Sequence, residues 1–177
     1  MLDDRDSVVE MSQNLAEFYR YTTRVENQWV TVREELKMVS HYLSIQNLRM
    51  QRLEFEVSVP EEMMELRIPR LIVQPLVENA IIHGIEQNAA GGLIKITGGQ
   101  DNVLNKIMVE DNGAGMTPEQ IKHLHFQLGM PMSDEIGCGT WNVHHRLYYQ
   151  FGEGSGLSFQ QSPTGGVKAV IAWNRTV

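Results

Sequence analysis

An α+β fold, with helices layered on one face of a mixed, largely antiparallel sheet, is predicted by the order in which two apolar periods succeed one another. The patterns run helix, helix, strand, helix, strand, strand, helix, helix, strand, strand, and so do not alternate as in a doubly wound sheet. The two later strand pairs are each joined by a short glycine-bearing stretch, which makes them hairpins. The first helices precede any strand and stand as flanking structure. A chain of 177 residues, 42% hydrophobic and 21% charged, suffices for one full domain with a core plus such a flank.

Residues 3 to 22 read as an amphipathic helix with Val8, Met11, Leu15 and Phe18 on one stripe and Asp3, Asp4 and Asp6 near its positive end. The stripe calls for a second helix, from this chain or from another copy of it. Residues 23 to 30 have no clear period and read as a connector. Thr31 and Glu34 form a capping box that opens the next helix, whose apolar face (Leu36, Val39, Leu43, Met50) ends near Met50. Leu53, Phe55, Val57 and Val59 alternate with polar residues, the mark of a half-buried strand closed by Pro60. A helix carrying Leu71, Ile72, Leu76, Val77, Ala80 and Ile81 on one face follows. Pro69 is expected in its first turn, and Pro75 predicts a kink or restart.

Strands are expected near 93–97 and 105–110, with a turn over Gly98 to Asn102. Thr117, Pro118 and Glu119 cap a helix to about Gln127. Leu128 to Ile136 has no usable period, and a loop of that length predicts a functional lid. Gly139 to Phe151 reads as a helix stopped by Gly152, and residues 156–161 and 167–173 as the final hairpin.

Composition excludes several functions. No run approaches the 18 or so apolar residues that cross a bilayer. Net charge is -7, and residues 51 to 177 hold more acids than bases, so no basic surface for nucleic acid is expected. Cys138 is the single cysteine, which rules out a disulfide framework and a cysteine-rich zinc site. The chain lacks a Gly-Lys dipeptide, H-E-x-x-H and G-x-S-x-G, hence the P-loop, zincin and hydrolase-elbow chemistries. The pairs His123/His125 and His144/His145 are not spaced i, i+4 and are expected to be solvated.

What remains is a carboxamide, Asn79, on a helix that otherwise points at the core, followed by two glycine-bearing segments, DNGAGM (Asp111 to Met116) and GCGTWN (Gly137 to Asn142). Each segment can bring backbone close to a ligand. The ordered set Glu78-Asn79-Ala80 with His83-Gly84, then Asp111-x-Gly113-x-Gly115-Met116, then Gly137-x-Gly139-x-x-Asn142, resembles the N, G1 and G2 boxes of the ATP-binding (Bergerat) fold. That fold is shared by gyrase, Hsp90, histidine kinases and MutL, the GHKL superfamily. Upstream, VTVREELKMVSHYLSIQNLRMQRLEFEV resembles the linker helix and first strand of sensor histidine kinases of the LytS/YesM type.

The resemblance implies an ATP-binding catalytic domain over 31–177 with its linker helix, preceded over 1–30 by the remnant of a dimerisation helix and a connector. It implies that Asn79 coordinates Mg²⁺ and that Asp111 accepts a hydrogen bond from the adenine amine. Gly113, Gly115 and Met116 would lie at the base, and His83, Thr140 and Asn142 would be further nucleotide contacts. Gly137 and Gly139 would hinge the lid and present N–H groups to phosphate, while Glu78 would orient a metal-bound water. The γ-phosphate would pass to a histidine on an upstream helix, since no H-F-[LI]-F-N motif occurs here. Partners implied are ATP, that helix, a second copy and a response regulator, in a cytoplasmic domain of a membrane sensor.

Departures from the pattern are Ile82 where Lys is frequent, Thr140 where Leu is usual and Val167 where Thr is common, all pointing to weaker ATP binding. Pro75 stands where hydrolysing members carry a water-activating Glu, which favours phosphotransfer over a gyrase/Hsp90-like ATPase. A degenerate module that docks without nucleotide is the other alternative. The retained Asn79, Asp111 and glycines speak against it.

Overall fold

The computed structural model describes residues 4–23, 28–86, 91–131 and 138–175. In chain order these form α1 (Asp4–Thr23), β1 (Trp29–Thr31), α2 (Val32–Met50), β2 (Leu53–Ser58), β3 (Arg67–Pro69), α3 (Gln74–Asn79), β4 (Gly92–Gln100), β5 (Leu104–Asp111), α4 (Pro118–Leu128), α5 (Cys138–Phe151), β6 (Gly156–Gln161) and β7 (Val167–Asn174). Five strands make one sheet in the order β2-β4-β5-β7-β6, in which β2 runs parallel to β4 and every other pairing is antiparallel. The expected α+β architecture is therefore the observed one.

Period-two burial aims one sheet face at the helices. On β5, Asn105, Ile107, Val109 and Asp111 are buried and the residues between them are half-buried. Ile94 and Ile96 on β4 and Ile171 and Trp173 on β7 continue that core, which Leu43 of α2, Val77 of α3 and Leu147 of α5 close from above. Asp111 occupies the last inward position of its strand. Period alone carries a carboxylate into the interior there.

The Thr31/Glu34 capping box forms in both directions, and α2 ends at Met50. The Thr117 cap also forms, with Gln120 as its reciprocal partner. On α1, Met11 and Leu15 remain 40% exposed, while Tyr21 packs half-buried against the core and His41 Nδ1 lies 2.8 Å from Asn14 Oδ1.

Three local expectations are corrected. The connector assigned to 23–30 ends in β1, which pairs antiparallel with β3 and places Pro69 opposite Trp29. Pro69 thus ends a strand, and Pro75 is the proline of the helical first turn, where its missing N–H costs nothing. The turn between β4 and β5 is shorter than expected: Gly98 to Gln100 stay in the ladder, and Asp101 Oδ1 accepts the N–H groups of Val103 and Leu104. Most of the lid expected over 128–136 lies outside the described residues, as does Gly137.

Candidate functional site

Asn79 owes its place to the way its helix begins and to what happens just after it. Leu71 is left-handed, with φ 58°, and the N–H groups of Leu71, Ile72 and Val73 all point at the carboxylate of Glu35 on α2, at 2.9, 2.9 and 3.1 Å. Glu35 is fully buried, and its Oε2 also accepts the Tyr21 hydroxyl of α1 at 2.5 Å. Burial, then the charge of Glu35 and the bond to it, push the Tyr21 phenol well above its ordinary range. Leu71 and Ile72 are therefore anchors ahead of the helix and not part of it. Directly after Asn79 the helix widens to a π turn, Ala80–Ile85. Such a register change is frequent at functional sites.

The Asn79 carboxamide donates from Nδ2 to Thr140 Oγ1 at 3.1 Å, joining α3 to the first turn of α5. Both line a cavity of about 200 Å³ together with Leu76, Ala80, His83, Gly84, Val109, Asp111, Gly115, Met116, Leu124, Phe159, Val167 and Ala169. The walls are mainly apolar. Asp111 is 4% exposed; Oδ1 accepts the Gly113 N–H at 2.8 Å and Oδ2 the Val167 N–H at 3.3 Å. Burial raises its carboxyl above the usual range, and the two N–H groups pull in the opposite direction.

Glycine is required around this carboxylate for close approach. A Cβ on Gly113 would lie 2.3 Å from the Gly84 backbone, and one on Gly84 would lie 2.7 Å from Asp111 Oδ1. Gly115 has φ +72° and turns the chain back into the cavity wall. The first glycine of DNGAGM thus packs the strand end onto the Asn79 helix.

Of the residues singled out in the sequence, Asn79, His83, Asp111, Gly115, Met116 and Thr140 come together on this cavity. Glu78, Gly139 and Asn142 are not among its lining residues. Glu78 accepts from Gln74 Nε2 at 2.7 Å, and together with burial, the larger effect, its charge pushes Tyr42 of α2 up to about 12. The side-chain bond of Glu78 is therefore within its own helix. Asn142 is exposed, and Gly139 sits over Pro75. Missed in the sequence were Leu124, Phe159 and Ala169, whose apolar character signals only core, and Glu35, whose place in a charged helical stretch gives no hint of burial.

Of the four histidines expected to be solvated, His123 and His125 are exposed, whereas His144 and His145 are half-buried. His125 Nε2 accepts the Phe159 N–H at 2.8 Å and His144 Nδ1 the Leu157 N–H at 3.0 Å, so two imidazoles satisfy outward donors of edge strand β6. Burial, then the neighbouring His145 and His125, lower the His144 pKa. A depressed histidine pKa means that its contribution is complete above the unfolded value, about 6.5, and is lost as pH falls through the folded one. Urea midpoints should therefore fall between pH 7.5 and pH 5, and His144→Gln should flatten that decline. An equal decline in the variant would show that His144 is not its source.

Among the described residues no helix is long and apolar enough to cross a membrane. Comparison with known proteins adds a family. A model of the histidine kinase-, DNA gyrase B- and HSP90-like ATPases matches residues 64–174, and a histidine kinase model matches residues 1–53. The sensor histidine kinase YesM of Bacillus subtilis is 30% identical over 96% of this chain and 28% of its own length; BtsS of Escherichia coli is 29% identical over 90% of the chain and 26% of its own. The chain therefore spans little more than a quarter of these relatives. The catalytic domain of histidine kinase ThkA, in a nucleotide-free form, aligns with a TM-score of 0.62 at 13% identity, covering 84% of this chain and 99% of that one. The ATP-binding domain of PrrB from Mycobacterium tuberculosis aligns at 0.56 and 21% identity, covering 82% and 95%. The ATP-binding fold, the matched models and the YesM similarity agree with the order of the three motifs in the sequence: the chain is similar over nearly its whole length to sensor histidine kinases of the LytS/YesM type, and it belongs to the histidine kinase-, DNA gyrase B- and HSP90-like ATPases.

Proposed function

We propose that this chain binds ATP with Mg²⁺ in the Asn79–Asp111 cavity and donates the γ-phosphate to a histidine on an upstream helix. The observation that carries the reading is the convergence of a carboxamide and a buried carboxylate, from separate elements, on one apolar-walled cavity. Asp111 accepts a base amine: each of its oxygens already takes one N–H and keeps a further lone pair. Leu124, Phe159 and Ala169 hold the base and exclude water from the Asp111 bond. Asn79 supplies a hard oxygen for a divalent cation. Among the described residues no group of three or more His, Cys, Asp or Glu could hold a metal. A carboxamide oxygen beside a nucleotide suits Mg²⁺, which keeps several waters and draws much of its shell from substrate phosphates. Bound there, the ion would neutralise phosphate charge.

Acceptor duty falls outside residues 1–177 in this reading. His125 and His144 accept backbone N–H groups, His145 Nε2 lies 3.1 Å from the Leu128 carbonyl, and His41 pairs with Asn14. The exposed Met11 and Leu15 of α1 fit a homodimer, and the family implies a response regulator as the next phosphate acceptor. Residues 31–177 are then the catalytic unit, and 1–30 belong to the dimerisation region of a membrane sensor, on its cytoplasmic side. Calorimetric titration tests the site. ATP should bind more tightly than GTP, and Asp111→Asn should weaken ATP severalfold while narrowing that gap, the scale of one lost bond, about 1–3 kcal/mol. Unchanged base selectivity in the variant would remove Asp111 from the role.

A further inference from the structure

Thr140 stands where the resembled motif usually has Leu, and the change puts the hydroxyl of a residue only 8% exposed against Asn79, the carboxamide among the described lining residues of the cavity. An amide terminus has two ends and a broad, roughly two-fold torsion, so an unrestrained Asn presents nitrogen or oxygen in either direction. Here Nδ2 donates to Thr140 Oγ1 at 3.1 Å, which turns Oδ1 to the opposite side. Only the oxygen can ligate a hard cation. A Leu would touch the same amide without choosing between its ends.

We propose that Thr140 is a positioning residue that fixes the Asn79 amide with its oxygen free for the divalent cation arriving with the nucleotide. The inference rests on the proposed function, and it replaces a direct nucleotide contact for Thr140 with action through Asn79. It also reverses the expectation that Thr140 weakens binding. The hydroxyl also ties the first turn of α5 to the Asn79 helix.

The test is titration of the unaltered protein, Thr140→Val and Thr140→Ser with ATP, once in excess Mg²⁺ and once in EDTA. Valine keeps the shape and removes the acceptor; serine keeps the acceptor and loses a methyl. The unaltered chain should bind ATP more tightly with Mg²⁺. Thr140→Val should lose roughly three- to tenfold of the Mg-dependent affinity, the scale of one neutral hydrogen bond, with metal-free binding unchanged. Thr140→Ser should restore it. Equal losses with and without metal would make Thr140 a wall residue and overturn the inference. Tighter Mg-ATP binding by Thr140→Val would show that the hydroxyl instead occupies Oδ1, and would overturn it too. An unchanged metal dependence in the valine variant removes this inference alone, whereas no nucleotide binding by the unaltered chain removes the functional reading along with it.

Discussion

Glu35→Ala is expected to cost several kcal/mol of unfolding free energy, enough to threaten the fold of a domain whose net stability is of the order of 5–15 kcal/mol. The carboxylate is fully buried and takes four donors: the Tyr21 hydroxyl and the N–H groups of Leu71, Ile72 and Val73. Alanine leaves all four without their acceptor. A buried unsatisfied group costs about 1–3 kcal/mol, and the Ile72 and Val73 amides have no route to water. Tyr21→Phe removes one donor and leaves the carboxylate three partners, so its cost should stay near 1 kcal/mol. Glu35→Gln offers one oxygen where two are used and should fall between. Urea denaturation of the three variants measures this. Glu35→Ala within 1 kcal/mol of the unaltered protein would mean that segment 71–73 finds other acceptors and that Glu35 does not anchor the Asn79 helix.

Gly113→Ala is the second large effect, expected to fall on nucleotide binding and stability together. The added Cβ would lie 2.3 Å from Cα, C and O of Gly84, all backbone, so no rotamer change relieves it. Either the end of β5 or the π turn must move, and with it the distance between Asp111 and Asn79. Overpacking of this kind costs about 1–3 kcal/mol in stability. ATP affinity should drop at least about tenfold, because two groups of one site are displaced relative to each other. Gly99→Ala, in β4, is the control: its Cβ would meet nothing within 4 Å. It should leave binding unchanged. Gly113→Ala with ordinary ATP affinity would show that the Gly84 contact is not needed to shape the cavity.

How far the sequence reached is seen element by element. The Thr31 and Thr117 caps were legible because a cap is a contact between residues three apart, and both form as expected. The strands of the two hairpins were legible because period two survives wherever one sheet face is buried. β1 and β3 were not legible: three-residue strands carry too few positions for any period, and their pairing joins residues far apart in the chain. The histidines escaped for a similar reason. Nothing local to His125 or His144 tells that the edge of β6 will present N–H groups to them.

For the candidate site, the sequence determined the cast: Asn79, Asp111, the glycines and their order, because motif spacing records which backbone turns the chain can make. It also determined the fold class, through periods that decide which face of each element is buried. Only the tertiary structure decided which members meet. It put Asn79 against Thr140, paired Glu78 with Gln74 off the cavity wall, left Asn142 exposed, and converted Glu35 from one acid in a charged helix into the buried anchor of the Asn79 helix. These are pairings between residues distant in sequence. Their energy depends on desolvation and on the directions of specific N–H groups, quantities that exist only once the elements have packed.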